Sequence, residues 1–224
     1  MTCEFEQKGS RIMDTREIIA AAEQFTKQEL EFDPSGHDWW HVHRVRKLAL
    51  ELAAVEKADV FVCELASLLH DVADEKLNET KEAGLHKVRN WLTEHQVDHE
   101  TVNEVMTIIS TMSYNGGHNP PMDTLEGKIV QDADRLDALG AIGIARTFQY
   151  SGWKGQTIHH PERDFSNLAY RSDEKTAIYH FYEKLLELKD RLNTTHAKHL
   201  AIDRHEFMEQ FLEQFYKEWD LKDA

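Results

Sequence analysis

Every long apolar segment of this chain repeats with the period of an α-helix and none alternates as a strand would, which confines the fold to helices packed on helices. Asp14 and Glu17 make a capping-box start, and Ile18, Ile19, Ala22, Phe25 and Leu30 follow at helical spacing, predicting a first helix over 14–31. After the breaker cluster Asp33, Pro34, Ser35 and Gly36, Asp38 caps a second helix with Val42, Val45, Leu48, Ala49 and Leu52 on its inner face. Asp59 caps a third, Val60 to Asp71, which is apolar nearly all round and hence central. A fourth helix spans 78–96, and a fifth runs from Asp98 to near Ser113. Beyond the Gly- and Pro-containing loop from Tyr114 to Asp123, one continuous helix is expected from Thr124 to Phe148. Ser172 is expected to cap the next, and a last helix covers about 195–219. The segment from Ser151 to Arg171 has weak periodicity and reads as a long loop, the kind that serves as a lid. The fold class is therefore all-α, one domain over 14–224, with residues 1–13 as an N-terminal arm.

The formal net charge of -15 over 224 residues argues against polymeric nucleic acid and anionic membranes as partners, since both bind through Lys/Arg faces. No stretch approaches 18 consecutive apolar residues. Two cysteines, Cys3 and Cys63, give no disulfide framework, and nothing at the N-terminus resembles a secretion signal, so a cytoplasmic location is expected.

Against this background a few polar residues stand where apolar ones belong. His70 and Asp71 end the run Leu65, Leu68, Leu69, and Asp74 and Glu75 follow within a turn. Buried charges are costly unless paired or bound to metal, so the His-Asp pair calls for a partner, for which a divalent cation is the best fit. His41 interrupts the inner face of the second helix, and Asp132 and Asp134 lie within IVQDADRLDAL. On that helix Ala133, Leu136 and Ala138 bracket the angular positions of Asp134 and Asp137, whereas Asp132 falls farther round. The other His-Asp dipeptide, His37-Asp38, is explained by Asp38 as an N-cap.

His41 in H-x-x-R-V, the pair His70-Asp71 and Asp134 in A-D-R-L-D-A-L together resemble the four metal-binding positions of the HD-domain superfamily of metal-dependent phosphohydrolases. The resemblance spans roughly residues 15–150, and with a subgroup of small stand-alone bacterial HD hydrolases it extends over nearly the whole chain. It implies an all-helical fold holding one divalent ion through His41, His70, Asp71 and Asp134. It also implies that Asp74, where relatives carry a glutamate, orients or deprotonates the attacking water, with Glu75 as the alternative.

Two imidazoles and two carboxylates suit Mn, Mg, Fe, Co, Ni or Zn, with Mn or Mg favoured, and leave positions open on an octahedral ion for water and a substrate oxygen. An acidic chain acting on a phosphate ester must gather positive charge locally, and Arg44, Lys76 and Arg135 are the candidate phosphate contacts. The expected substrate is a nucleotide that loses phosphate or pyrophosphate. The alternative is a catalytically inactive regulatory protein that binds metal and nucleotide, and oligomerisation is compatible with either. A second metal would require His86, His95, His99 or His118, and one metal is expected. An iron oxygenase on a related helical scaffold would need more histidines at the site. His159 and His160 are candidates to support the metal ligands, Trp39 and Trp40 to stack on a base, and Asp137 to support its helix or a ligating histidine. His196 and His199 share the spacing of a metal pair but read as solvated.

Overall fold

The computed structural model describes residues 13–75, 77–117, 119–168, 172 and 174–222, and among these it contains nine α-helices and no strand. The expected arm over 1–13 lies outside the described residues except for Met13, which packs against the core. The helices are α1 (Thr15–Glu29), α2 (Trp39–Glu56), α3 (Val60–Leu69), α4 (Lys81–Glu94), α5 (His99–Thr111), α6 (Leu125–Asp137), α7 (Gly140–Trp153), α8 (Ala177–Glu183) and α9 (Thr195–Trp219). Short 3-10 turns cover Asp71–Ala73, Asn115–Gly117 and Leu185–Arg191.

Side-chain caps begin most of these helices where the sequence places them. Asp14 and Glu17 form the reciprocal capping box of α1, and Asp38, Asp59, Asp98 and Thr124 accept from the first-turn amides of α2, α3, α5 and α6. Leu65, Leu68 and Leu69 of α3 are fully buried, as its all-round apolarity requires, and α3 packs on α1, α2, α5 and α6. α2 and α6 make the most extensive helix pairing among the described residues, and Val42, Val45 and Ala49 of α2 and Ile129, Val130 and Ala133 of α6 are all fully buried.

Three expectations fail at breaks that local periodicity does not mark. α3 stops at Leu69, and the chain tightens into a 3-10 turn that carries Asp71 and releases Asp74 in an extended conformation. The helix expected over 124–148 is two helices. Its break is Gly140, whose φ of 70° suits glycine, and an added Cβ would stand 3.1 Å from Arg204 Cβ on α9. Arg204 Nη1 also donates to Leu136 O at 2.6 Å, adding to the bond that this carbonyl accepts from Leu139 N at the end of α6. The helix expected after Ser172 starts instead behind Thr176, which accepts from Tyr179 N, and it yields to the 3-10 turn at Lys184. Ser151 to Trp153 belong to α7, and the segment after them is pinned to α8 by bonds from Ala177 N to Thr157 O and Ile178 N to Ile158 O.

Asp132 is wholly buried and ties α6 to the start of α9. It accepts from Asn193 N, Asn193 Nδ2, Thr194 N and Thr194 Oγ1, all within 3.1 Å. Burial pushes its carboxyl up from the ordinary value, partly offset by these bonds. Asp132→Ala would strand the buried amide of Thr194 and the half-buried amide of Asn193 and is expected to cost about 3 kcal/mol in urea unfolding; a loss under about 1 kcal/mol would refute the anchoring role.

Candidate metal centre and its cleft

Four side chains meet where α2, the end of α3 and α6 converge. His41 is fully buried, and its Nε2 stands 3.4 Å from His70 Nε2, 3.3 Å from Asp71 Oδ2 and 3.4 Å from Asp134 Oδ1. His70 Nε2 is in turn 3.3 Å from Asp71 Oδ1. Donor atoms of His41, His70 and Asp71 lie within 4.8 Å of one another, and Asp134, with a third of its side chain exposed, completes the set from the open side.

The protons of both imidazoles are already placed. His41 Nδ1 donates to Asp137 Oδ2 at 2.7 Å, and His70 Nδ1 donates to Ser67 O at 2.8 Å. In the neutral imidazoles each Nε2 therefore presents a lone pair, and the two nitrogens face each other and two carboxylates. Asp71 Oδ2 is buried with no hydrogen-bond partner among the described residues. Such a convergence of acceptors is repulsive unless a positive charge sits among them. A divalent ion fits, because neighbouring ligands on bonds of about 2.1 Å stand about 3 Å apart. The protein's electrostatics show the same demand. Burial opposes protonation of His41, as does the charge of Arg146, yet Asp134, Asp137 and Asp71 raise its pKa to about 10. The Asp71 and Asp134 carboxyls, disfavoured by burial, are held below their usual range by the histidines.

Asp137 organises this centre from behind. Besides His41 it receives Arg44 Nε at 2.7 Å and Arg44 Nη2 at 3.0 Å, and Arg146 Nη1 lies 3.2 Å away. Of the two roles open to it, it takes the support of a histidine. Arg44 is accordingly not directed at a phosphate as expected: its guanidinium is closed on Asp137 and it does not line the cleft.

The ligands face a cleft of about 370 Å³, a size suited to a small-molecule ligand. His70, Asp71, Asp74, Glu75, Asp134 and Arg135 line it, so five expected residues beyond the buried His41 share one wall system with Asp71. Arg135 Nη1 donates to Arg191 O, and its Nε is buried without a partner among the described residues. Lys76 and His118 lie outside the described residues. Lys81, Arg146 and Lys184 also line the cleft. Sequence spacing pointed to none of them, since they come from α4, α7 and the end of α8. His37 lines it too, with its ring 5.6 Å from that of His41, although Asp38 does cap α2 as expected.

Several candidates stand elsewhere. His159 packs edge-on against Phe215, Tyr216 and Trp219 of α9, and His160 is exposed, so neither supports a ligand. His95 stacks on Trp91 and His99 bonds to Asn103, which removes them as a metal pair. His86 lines a separate surface hollow between α4 and α5. His196 bonds to Glu51, while His199 is exposed. Trp39 carries Lys27 Nζ over its ring and Trp40 is exposed, and neither borders the cleft.

Comparison with known proteins agrees with this geometry. The HD domain family profile matches residues 39–139. An uncharacterised protein of Bacillus subtilis, YpgQ, is 43% identical over 188 residues, 83% of this chain and 86% of the relative. A crystal structure of an HD-superfamily hydrolase from Bacillus thuringiensis matches with a TM-score of 0.73 at 49% identity, covering 92% of this chain and 99% of that one. YpgQ in complex with ADP matches with a TM-score of 0.72 at 38% identity, covering 89% and 97%.

Two outcomes follow from the role of Asp137. Asp137→Asn, which keeps size but removes the charge behind His41, is expected to weaken Mn binding about 10- to 100-fold in a metal titration; unchanged affinity would contradict the role. Burial raises the Asp137 carboxyl, but the hydrogen bonds from His41 and Arg44 and the charges of His41 and Arg146 outweigh it and bring the pKa down to about 2. Its unfolded value is near 4, so the stabilisation is full above about pH 4 and is lost as pH falls through about 2. In metal-free protein Asp137→Asn should flatten that part of the pH–stability curve. A curve as steep as wild type would show that other carboxylates set it.

Proposed function

The chain belongs to the HD superfamily of hydrolases, and from that premise we propose that it is a metal-dependent phosphohydrolase. Its substrate is a (deoxy)nucleoside phosphate, from which it releases phosphate or pyrophosphate. The observation that carries this is the pair of Nε2 atoms turned toward the carboxylates of Asp71 and Asp134 at the base of a cleft, with both Nδ1 atoms engaged behind them. The ADP complex of the relative YpgQ supports a nucleotide as the ligand.

His41, His70, Asp71 and Asp134 would hold one divalent ion, Mn or Mg being favoured by the mixed nitrogen and oxygen donors. Such an ion supplies Lewis acidity, lowering the pKa of water and polarising a phosphoryl oxygen. Asp74 stands on the cleft wall just past the Asp71 turn, its amide bonded to Asp71 O at 3.0 Å and its carbonyl held by Asn78 Nδ2 at 2.8 Å. That fixed backbone lets its carboxylate orient the attacking water and take its proton, with Glu75 beside it as the second acceptor. Arg135, Lys81 and Lys184 border the same space and would offset the charge that grows on the phosphoryl oxygens.

Phosphate and pyrophosphate release from nucleoside mono-, di- and triphosphates, assayed on metal-stripped protein with Mn, Mg, Co or Ni added back, tests the proposal. Release should depend on metal and vanish in Asp71→Ala. Asp74→Ala should retain metal while turnover falls about 10²- to 10⁴-fold, and full activity in that variant would remove Asp74 from the mechanism. Wild-type protein that binds metal yet releases nothing from any nucleotide would favour a regulatory binding protein.

A further inference from the structure

A second cavity, about 160 Å³ in volume, adjoins the metal cleft. His37, Ala138, Arg146 and Lys184 line both, so the two spaces lie side by side with these four residues at their border. Its chemistry differs from that of the cleft. Thr147, Tyr150 and Ser151 present from α7, Gln156 from the segment after it, and Thr176 and His180 from the start of α8. The cavity's own charged residues, Lys175 and Glu183, form an ion pair with each other. Among the described residues that line it, the cations are the ion-paired Lys175 and the two residues shared with the cleft, Arg146 and Lys184. A neutral ring edged with hydrogen-bonding groups would find partners.

Size points the same way. A protein cavity of about 150 Å³ accommodates one benzene-sized ring, so this one takes a single base or sugar ring at a time. Thr147 Oγ1 donates to Gly143 O at 2.8 Å, which leaves its oxygen able to accept from a ligand N–H or O–H. Thr147 and Ser151 are buried in the wall and so are rigidly placed. The bonds from Gln156 N to Ser151 O at 2.8 Å and from α8 to Thr157 O and Ile158 O fix the segment that closes the side.

We propose that this second cavity receives one ring, base or sugar, of the nucleoside end of the substrate, with Thr147, Ser151 and Gln156 as its hydrogen-bonding contacts and Arg146 and Lys184 at the border with the phosphates. The assignment rests on the nucleotide reading above and adds the residues that would decide which nucleotide is preferred.

ADP and inorganic pyrophosphate share a diphosphate and differ by the nucleoside, so their dissociation constants on Mn-supplemented full-length protein separate the two cavities. Ser151→Leu fills the second cavity and Gln156→Ala removes one contact from it without touching the core. Ser151→Leu is expected to weaken ADP about tenfold or more, and Gln156→Ala several-fold, while pyrophosphate changes by less than about twofold in either variant. If Ser151→Leu fails to fold, judged by its melting temperature, Gln156→Ala decides. ADP unaffected by both variants, or weakened only in parallel with pyrophosphate, would overturn the assignment. So would wild-type protein that binds the two ligands equally well, an outcome that leaves the phosphate reading intact. Wild-type protein that binds pyrophosphate but no nucleoside diphosphate would remove the nucleotide reading and this inference together.

Discussion

His41 is held at both ring nitrogens, and the rest of the site depends on that. Its Nδ1 proton goes to Asp137, its Nε2 faces His70, Asp71 and Asp134, and the whole side chain is sealed between α2 and α6. Asp134 and Asp137 are three residues apart and so share a face of α6. One carboxylate orients the imidazole while the other stands on its far side beside the metal position. Arg44, three residues after His41 on α2, closes the return path by gripping Asp137 with two nitrogens. The charges fall in two groups. Asp137 faces two guanidinium cations, Arg44 and Arg146, and Asp71 with Asp134 presents two negative charges that a divalent ion would neutralise.

The breaks in the helices build the site as much as the helices do. Were α6 and α7 one continuous helix, Arg146 would lie about 13 Å along the axis from Asp137. The turn at Gly140 brings it back to 3.2 Å, and from there Arg146 Nε also reaches Gly36 O at 3.0 Å, fastening the loop that carries His37 to the same carboxylate. The early end of α3 works similarly. The 3-10 turn at Asp71–Ala73 keeps Asp71 buried against the histidines and swings Asp74 and Glu75 onto the cleft wall, where a continued helix would have carried them onward along its axis.

Charge is partitioned between two adjoining spaces. A chain of net charge -15 concentrates Lys81, Arg135, Arg146 and Lys184 around one cleft. The neighbouring cavity has its own cation and carboxylate paired off. Long-range attraction of an anionic ligand by the whole surface is excluded by this arrangement, so recognition has to be local, through an ion and a few fixed cations at short range.

The sequence by itself determined the helical class and most of the helix starts, and it pointed to the polar residues that the fold then brings together at the candidate metal centre. These rest on short-range physics: a capping carboxylate acts over three residues, an apolar stripe repeats every turn, and a His-Asp pair in a buried run needs a counter-charge whatever lies around it. Even the choice of Asp134 and Asp137 over Asp132 follows from angular position on one helix. What only the tertiary structure decided are features made by segments far apart in the chain. The periodic helix breaks at Gly140, where a positive φ and the close approach of Arg204, more than sixty residues on, both favour a residue without a Cβ. Arg44 turns to Asp137 because α6 brings a buried carboxylate within reach, which no spacing along α2 could reveal. Lys81, Arg146 and Lys184 share a cleft, and a second cavity opens beside it, only because α4, α7 and α8 are folded around the same end of α6.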